Sequence, residues 1–513
     1  MKTTTKTTFL SLLALALAAA PQVARANANT FANATVITDS NQSNGSAVLL
    51  NYDAEAGEPG HFASGSTGAQ KTAWWRWTAP SAGFCTVDTF GGDYVDSLTD
   101  TIIAVYTGAA VNNLTRVSAN DDHHLSINNA AHFYSSTTFY ATQGTTYSIA
   151  VDGWSAGSIT ANSQKVSLRL RHLPATPETR YGTFGSSTDV GMNGSIQLSR
   201  TATHAFSAKL NLAGKLYPFN GVFGLDGYFT ISFERKVPVG SVPLPPLTLI
   251  LDGAQNGMFG VVSGTANMER NLGTVQRFTA IQPSAMKGLY TATVSSAGTL
   301  SLNVSNLGVV NGAAVMLDGT KATFGSFLCK ETATTCLVPT YTPLHTNTGF
   351  FYSYLQITEA GATDTLTQSN ALAYYKRPAK QGATFYPAGI STSLSVVGST
   401  YIPPMANARA LGFLDGSMGA GKLTIAMQNP EITPAITENL TLGTNNVFKF
   451  TSPLQRKPVL ALNKANGLVT GSIYDQNGKK RTITGILYRE GMNVKLKGQL
   501  SGFTLNPIFE VVP

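Results

Sequence analysis

Charge is scarce in this chain. Only 12% of its 513 residues are Asp, Glu, Lys or Arg, against roughly 25% in an average globular protein. The basic residues are scattered, and their densest run, Lys479-Lys480-Arg481, sits at an expected turn. A nucleic-acid-binding surface needs a concentrated basic stripe, so that class is set aside. Cysteine is scarcer still, with only Cys85, Cys329 and Cys336, too few for a disulfide-dense scaffold. A membrane-spanning helix needs about 20 consecutive apolar residues, and no such run exists. The Phe9–Ala20 stretch is too short, and Val242–Leu251 is interrupted by Pro243, Pro245 and Pro246. Familiar catalytic signatures are missing too. There is no His-Glu-x-x-His, no Gly-x-Ser-x-Gly and no phosphate-binding loop, since Gly421-Lys422 lacks the hydroxyl residue that should follow. Among the seven histidines, His61 follows Glu58-Pro59 but has no nucleophile beside it in sequence. A pair of glycosidase carboxylates stays open, because its two members need not be close in sequence.

What is present begins with an export signal. Lys2 and Lys6 precede the apolar Phe9–Ala20 run, and Ala24-Arg25-Ala26 places small residues at both recognition positions of a signal peptidase. Cleavage after Ala26 is expected, which removes residues 1–26 and lowers the net charge from +8 to +5. The expected location is outside the cytoplasm: periplasmic, secreted or at the cell surface. Ser, Thr, Asn and Gly stand where charges would otherwise be. They suit sheet faces and tight turns and compete with helical backbone bonds. The fold class expected is therefore all-β.

Residues 27–172 read as one unit. Strand patterns such as Trp74-Trp75-Arg76-Trp77-Thr78, Thr101–Tyr106 and Thr145–Val151 are punctuated by Gly, Asn and Asp clusters, as in an antiparallel sandwich. The ordered series Asn29–Ala34, Ala56–His61, Ala73–Pro80, Asp88–Gly91, Asp100–Gly108, Asn120–Asp122 and Tyr147–Gly153 resembles the bacterial pre-peptidase C-terminal (PPC-like) domain. The segment Gly92–Thr99 is longer than that family's usual link. The resemblance implies a jelly-roll-like β-sandwich of secreted proteins, concerned with secretion or with substrate or matrix contact, and in some members binding calcium. Many proteins that carry it are not proteases.

Leu173–Thr179 holds Pro174 and Pro177 and reads as a linker. Beyond it the chain is expected to form one or two antiparallel meander or barrel-like domains, 180–340 and 341–513, the division resting on Pro339, Pro343 and a Thr/Asn-rich stretch. A weak internal repeat links their ends. Ile196–Gly221 and Leu460–Gly485 both run strand, turn, strand, Gly-Lys, five residues, Gly. The Gly-Lys should mark a hairpin tip, and the later Gly a bulge or a close approach of backbone. This part resembles β-rich regions of large secreted bacterial proteins that carry no assigned function.

Three sets of residues are candidate sites. Asp100, Asp121 and Asp122 fall on motif positions of the PPC-like pattern, and loop carboxylates either bind calcium through oxygen ligands or satisfy turn N–H groups. His123 and His124 follow directly, but neighbours on an extended chain point to opposite faces. Cys329 and Cys336 could close a short disulfide loop in an oxidising compartment, leaving Cys85 in the apolar strand Gly83–Val87 as a buried thiol. Alternation puts Trp75 and Trp77 on one face, expected in the core, and Trp74 on the other. Trp74 and Trp154 are then the candidates for an aromatic platform. The function these readings favour is a non-catalytic extracellular or cell-surface accessory or adhesion protein, binding a protein or glycan partner, with calcium as the candidate cofactor. A secreted glycan- or peptide-directed hydrolase with its site in 180–513, and an outer-membrane β-barrel, are the alternatives.

Overall fold

The computed structural model describes residues 28–513 except 39–42, 62–67, 91–97, 99, 123–132, 156, 185–192, 236–244, 255–256, 263–264, 272, 276–283, 296, 362, 426–435 and 452–455. The export signal and His123, His124 and His132 lie outside the described residues. The chain is all-β, with short 3-10 turns as the only helical elements among the described residues. It divides into two compact units, Met1–His172 and Leu173–Pro513.

The first unit contains two sheets. One orders its strands Thr35–Ile37, Ala73–Thr78, Thr146–Gly153, Thr101–Thr107, Thr115–Asn120, and the other Ser43–Val48, Lys165–Pro174, Gly83–Asp88, Ser136–Ala141. Their inner faces share a core that includes Trp75, Trp77, Val105 and Ile149 from the first sheet and Cys85, Phe139, Leu168 and Leu170 from the second. Side chains two apart on a strand share a face, which is why Trp75 and Trp77 enter this core together. Each buried aromatic of this kind contributes about 1.5–3 kcal/mol of burial energy. The outer face of the first sheet is covered as well. Phe31, Ala34, Trp74, Ala104, Tyr106 and Ala150 form a second apolar cluster there.

The second unit holds a five-, a four-, a ten- and an eight-stranded sheet. The ten-stranded sheet wraps a core of Tyr290, Leu300, Leu302, Val338, Phe351, Leu355 and Tyr375. Its strand Thr335–Leu344 runs through the expected 340/341 boundary, so that division is corrected: Pro339 and Pro343 lie inside a strand. They are tolerated because, beyond the short ladder of Cys336 and Leu337 with Lys330 and Cys329, this strand pairs on one side only, with Gly349–Thr358. On its other side, side chains reach across from and to the strand Lys321–Phe327. The Ser326 hydroxyl donates to Pro339 O and Thr342 Oγ1 donates to Thr323 O. A proline cannot donate to a ladder and is confined to such edges.

The two repeats are three-stranded meanders with Gly-Lys at the second hairpin tip. In the first, Ala213 and Gly214 both have positive φ (48° and 77°) in a two-residue turn closed by the Leu212–Lys215 pair, the geometry that matches sheet twist. In the second, Gly478 has φ 72° and Asp475 Oδ1 accepts the N–H groups of Asn477 and Lys479. The later glycines are places of close approach. A side chain at Gly221 would run into the Phe229 ring, and one at Gly485 into the ring of Phe509. Gly485, Gly498 and Phe509 form one row across three strands, with the Phe509 ring laid over the two glycines.

Candidate calcium site

Asp100 and the Asp121-Asp122 pair are far apart in sequence and are brought together by one antiparallel pairing. The strand Thr101–Thr107 begins directly after Asp100, and its partner Thr115–Asn120 ends directly before Asp121, with Ile103 opposite Asn120. The three aspartates therefore meet at one end of the first sheet. One oxygen from each lies within 4.8 Å of the others. Two oxygens on opposite sides of a calcium ion are separated by about 4.6–5.2 Å, twice the ordinary calcium–oxygen distance, so a single ion can reach all three.

The backbone beneath them is fixed by hydroxyls. Thr89 Oγ1, Thr101 Oγ1 and Ser135 Oγ form a buried chain of hydrogen bonds at 2.9 and 3.1 Å. Ser135 Oγ also donates to Asp121 O at 2.6 Å, Ser136 N donates to Asn120 Oδ1 at 2.9 Å, and Thr101 N donates to Phe133 O at 3.1 Å. This network places the carboxylates without using their oxygens. Asp121 Oδ1 is buried and has no hydrogen-bond partner among the described residues.

Electrostatics follow from that placement. Burial first, and then the neighbouring carboxylates of Asp122 and Asp100, push the Asp121 carboxyl up to about 6. Burial and then Asp122 raise that of Asp100. Three acids held together in this way repel one another at on the order of 1–4 kcal/mol per close pair, depending on exposure. A divalent cation turns the repulsion into attraction. Turn-capping aspartates would spend their oxygens on N–H groups, and Asp121 Oδ1 does not.

Two other expectations are corrected. Cys329 and Cys336 are not joined by a disulfide, and both are buried. Cys329 stands opposite Leu337, and Cys336 stands opposite Lys330. The one-residue offset sends the two thiols to opposite faces of the ribbon, since successive side chains alternate. Cys336 enters the core of the ten-stranded sheet, whereas Cys329 Sγ lies against Tyr181 O. Trp74 is not a platform. It is 0% exposed, packed edge-on against Phe31 and His61 with ring centroids at 5.3 and 5.7 Å. Alternation placed it on the outer face correctly, but the Phe31–Asn33 turn and Tyr106 cover that face. Trp154 is the one partly exposed tryptophan, and its backbone N–H donates to Asp100 O at 3.4 Å, which puts its backbone beside the carboxylate cluster. Its closeness to the aspartates was not legible in the sequence, because it depends on the pairing of Thr101 with Gly153.

His61 is buried with both ring nitrogens engaged. Nδ1 meets Tyr106 OH at 3.0 Å, and Nε2 meets Thr72 Oγ1 at 2.9 Å and Glu58 Oε1 at 3.1 Å. It ties a loop to the sheet and presents no free nitrogen to a substrate.

No protein-family model matches this chain. No curated protein matches it.

Proposed function

We propose that the chain is an exported, non-catalytic binding protein acting outside the cytoplasm, periplasmic, secreted or at the cell surface. Its N-terminal sandwich is a PPC-like, jelly-roll-type module completed by calcium, and its sheets present a surface to an extracellular protein or glycan, with Trp154 available for stacking at the calcium end. The observation that carries this reading is the convergence of Asp100, Asp121 and Asp122 within 4.8 Å. Calcium takes six to eight oxygens. Three carboxylates leave part of that shell to water, which implies weak affinity. Extracellular calcium modules work at about 10⁻⁴–10⁻³ M, so a weak site fits an exported protein.

The alternatives are disfavoured by particular contacts. In the second unit several buried or half-buried acids are committed to structural partners. Asp318 holds Arg377 at 2.6 Å and accepts from Tyr375 OH at 2.9 Å. Asp475 holds Arg481 at 2.7 Å, Asp364 accepts from Tyr290 OH at 2.7 Å, and Glu178 is shared by Arg180 and Arg200. Oxygens used in this way do not face a substrate across a cleft. A membrane barrel turns apolar side chains outward, whereas strands Val309–Val315 and Lys321–Phe327 bury Val310, Ala314, Ala322 and Phe324 and expose Asn311, Lys321 and Thr323. Among the described residues no helix is long and apolar enough to cross a membrane, which does not bear on a β-barrel.

The test is a thermal melt of the mature protein followed by tryptophan fluorescence. At tenfold excess over its Kd, calcium should add about 1.4 kcal/mol, moving a unit of this size by roughly 2–5 °C. EDTA should reverse the shift. A midpoint unmoved by millimolar calcium would overturn the calcium assignment.

A further inference from the structure

A cleft in the second unit carries a separate inference. Its volume is about 370 Å³, within the range of roughly 300–1,000 Å³ typical of small-molecule sites. One wall is the irregular segment after the strand Val396–Thr400, contributing Ile402, Met405 and Phe413. The other is the hairpin of strands Lys480–Glu490 and Asn493–Ser501, contributing Leu487 and Val494 from the strands and Met492 from the turn.

Two features distinguish this cleft from an ordinary surface dent. The first is apolar exposure. Met405 is 79% and Met492 92% exposed, and Ile402 and Phe413 are exposed beside them. Isolated exposed apolar residues need no explanation, but a contiguous group around a cavity marks a binding site. Methionine side chains adapt to irregular apolar ligands. The second is charge. The lining contains Arg409 and Arg489 and, among the described residues, no carboxylate. Arg409 is already occupied, with Nε donating to Leu442 O at 2.7 Å and Nη1 to Asp415 at 3.0 Å. Arg489 makes only one hydrogen bond among the described residues, from Nη1 to Met492 O at 3.0 Å. A guanidinium has five N–H donors in a planar fork suited to a carboxylate, so most of the Arg489 donors remain for a ligand.

We propose that this cleft binds a small amphipathic monocarboxylate: an apolar chain between the two methionines, and one carboxylate on Arg489. One uncommitted guanidinium, in a lining whose other polar members are the occupied Arg409 and the neutral Thr291, Thr400, Tyr401, Tyr488 and Asn493, matches a single negative charge better than a phosphate dianion, and the limited volume matches a short chain better than a folded partner. The site is independent of the calcium cluster, which lies in the other unit.

The experiment titrates the mature protein in EDTA with sodium octanoate, and in parallel with octanamide, which has the same chain and a neutral head. Octanoate should bind saturably and at least tenfold more tightly than octanamide. Arg489→Gln should abolish that preference while leaving octanamide binding unchanged. Met405→Glu, at a rim position that folding does not depend on, should weaken octanoate severalfold by placing like charge at the entrance. Location is read independently from peroxide oxidation of methionine followed by mass spectrometry. Octanoate should slow oxidation of Met405 and Met492 severalfold and leave that of Met418 unchanged, since Met418 is 87% exposed and outside the cleft. The proposal fails if octanoate does not saturate, if octanamide binds equally well, if Arg489→Gln keeps the preference, or if the three methionines respond alike.

Discussion

At the scale of single residues, Asp121 makes the first unit sensitive to pH. Its carboxyl, pushed up to about 6 by burial and then by its acidic neighbours, stands above the usual 3.8. Between these values the folded chain retains a proton that the unfolded chain has lost. Without calcium, the contribution of Asp121 to stability therefore falls as pH rises through about 4 to 6. Calcium must displace that proton, so its binding should be roughly tenfold weaker at pH 5 than at pH 7, measurable by titration at the two values. Asp121→Asn removes the repulsion and the ligand together. The calcium response should disappear, while the calcium-free melting point should stay level or rise. A variant that melts lower without calcium would show that Asp121 holds the fold by other means. The cysteines act by burial. It raises all three thiols, so the native protein should resist alkylation at Cys85, Cys329 and Cys336, and all three should label after denaturation. Here the sequence misled for a definable reason. The spacing of Cys329 and Cys336 allowed a closed loop, but closure depends on strand register, and a shift of one residue exchanges the faces. The aspartates were legible as motif positions of the PPC-like pattern, and they meet because Asp100 stands just before one strand and Asp121 just after its antiparallel partner.

At the scale of elements, much of the second unit could be read from glycine. The Gly-Lys pairs marked turns, and both, at 214–215 and 478–479, lie at hairpin tips. What the later glycine of each repeat does was legible only as a choice between a bulge and a close approach. The choice depends on Phe229 and Phe509, which come from other strands. Two substitutions separate turn strain from crowding. At Gly478 an added Cβ meets nothing within 4 Å, but φ is +72°, so Gly478→Ala should cost about 1–2 kcal/mol through left-handed backbone strain. At Gly485 the backbone is ordinary, but a Cβ would lie 2.9 Å from Lys497 O and closer still to the Phe509 ring. Gly485→Ala should cost about 1–3 kcal/mol by overpacking. Adding Phe509→Leu should recover part of the loss at Gly485 and none at Gly478. Urea melts of the four variants measure this, and equal recovery at both sites would exclude the ring as the cause. The 340/341 division failed at this same scale. Proline was read as a break, whereas a strand paired on one side only beyond the short Cys329–Lys330 ladder accommodates it.

At the scale of the whole molecule, the chain is two compact units with one proposed ligand each. All four tryptophans, Trp74, Trp75, Trp77 and Trp154, lie in Met1–His172, so tryptophan fluorescence reports the first unit alone. A ligand stabilises only what unfolds together with its site. Calcium should therefore raise the fluorescence-detected midpoint, and octanoate, bound between Met405 and Met492, should leave it in place. Calorimetry, which sees both units, should show octanoate raising a transition that is silent in tryptophan fluorescence. The two shifts should add when both ligands are present, because the sites share no residues. If octanoate lifts the tryptophan midpoint as far as calcium does, the chain melts as one cooperative body, and the boundary at His172–Leu173 is geometric but not thermodynamic. If calcium moves only the silent transition, the cation is held in Leu173–Pro513, and the three aspartates are not its ligands.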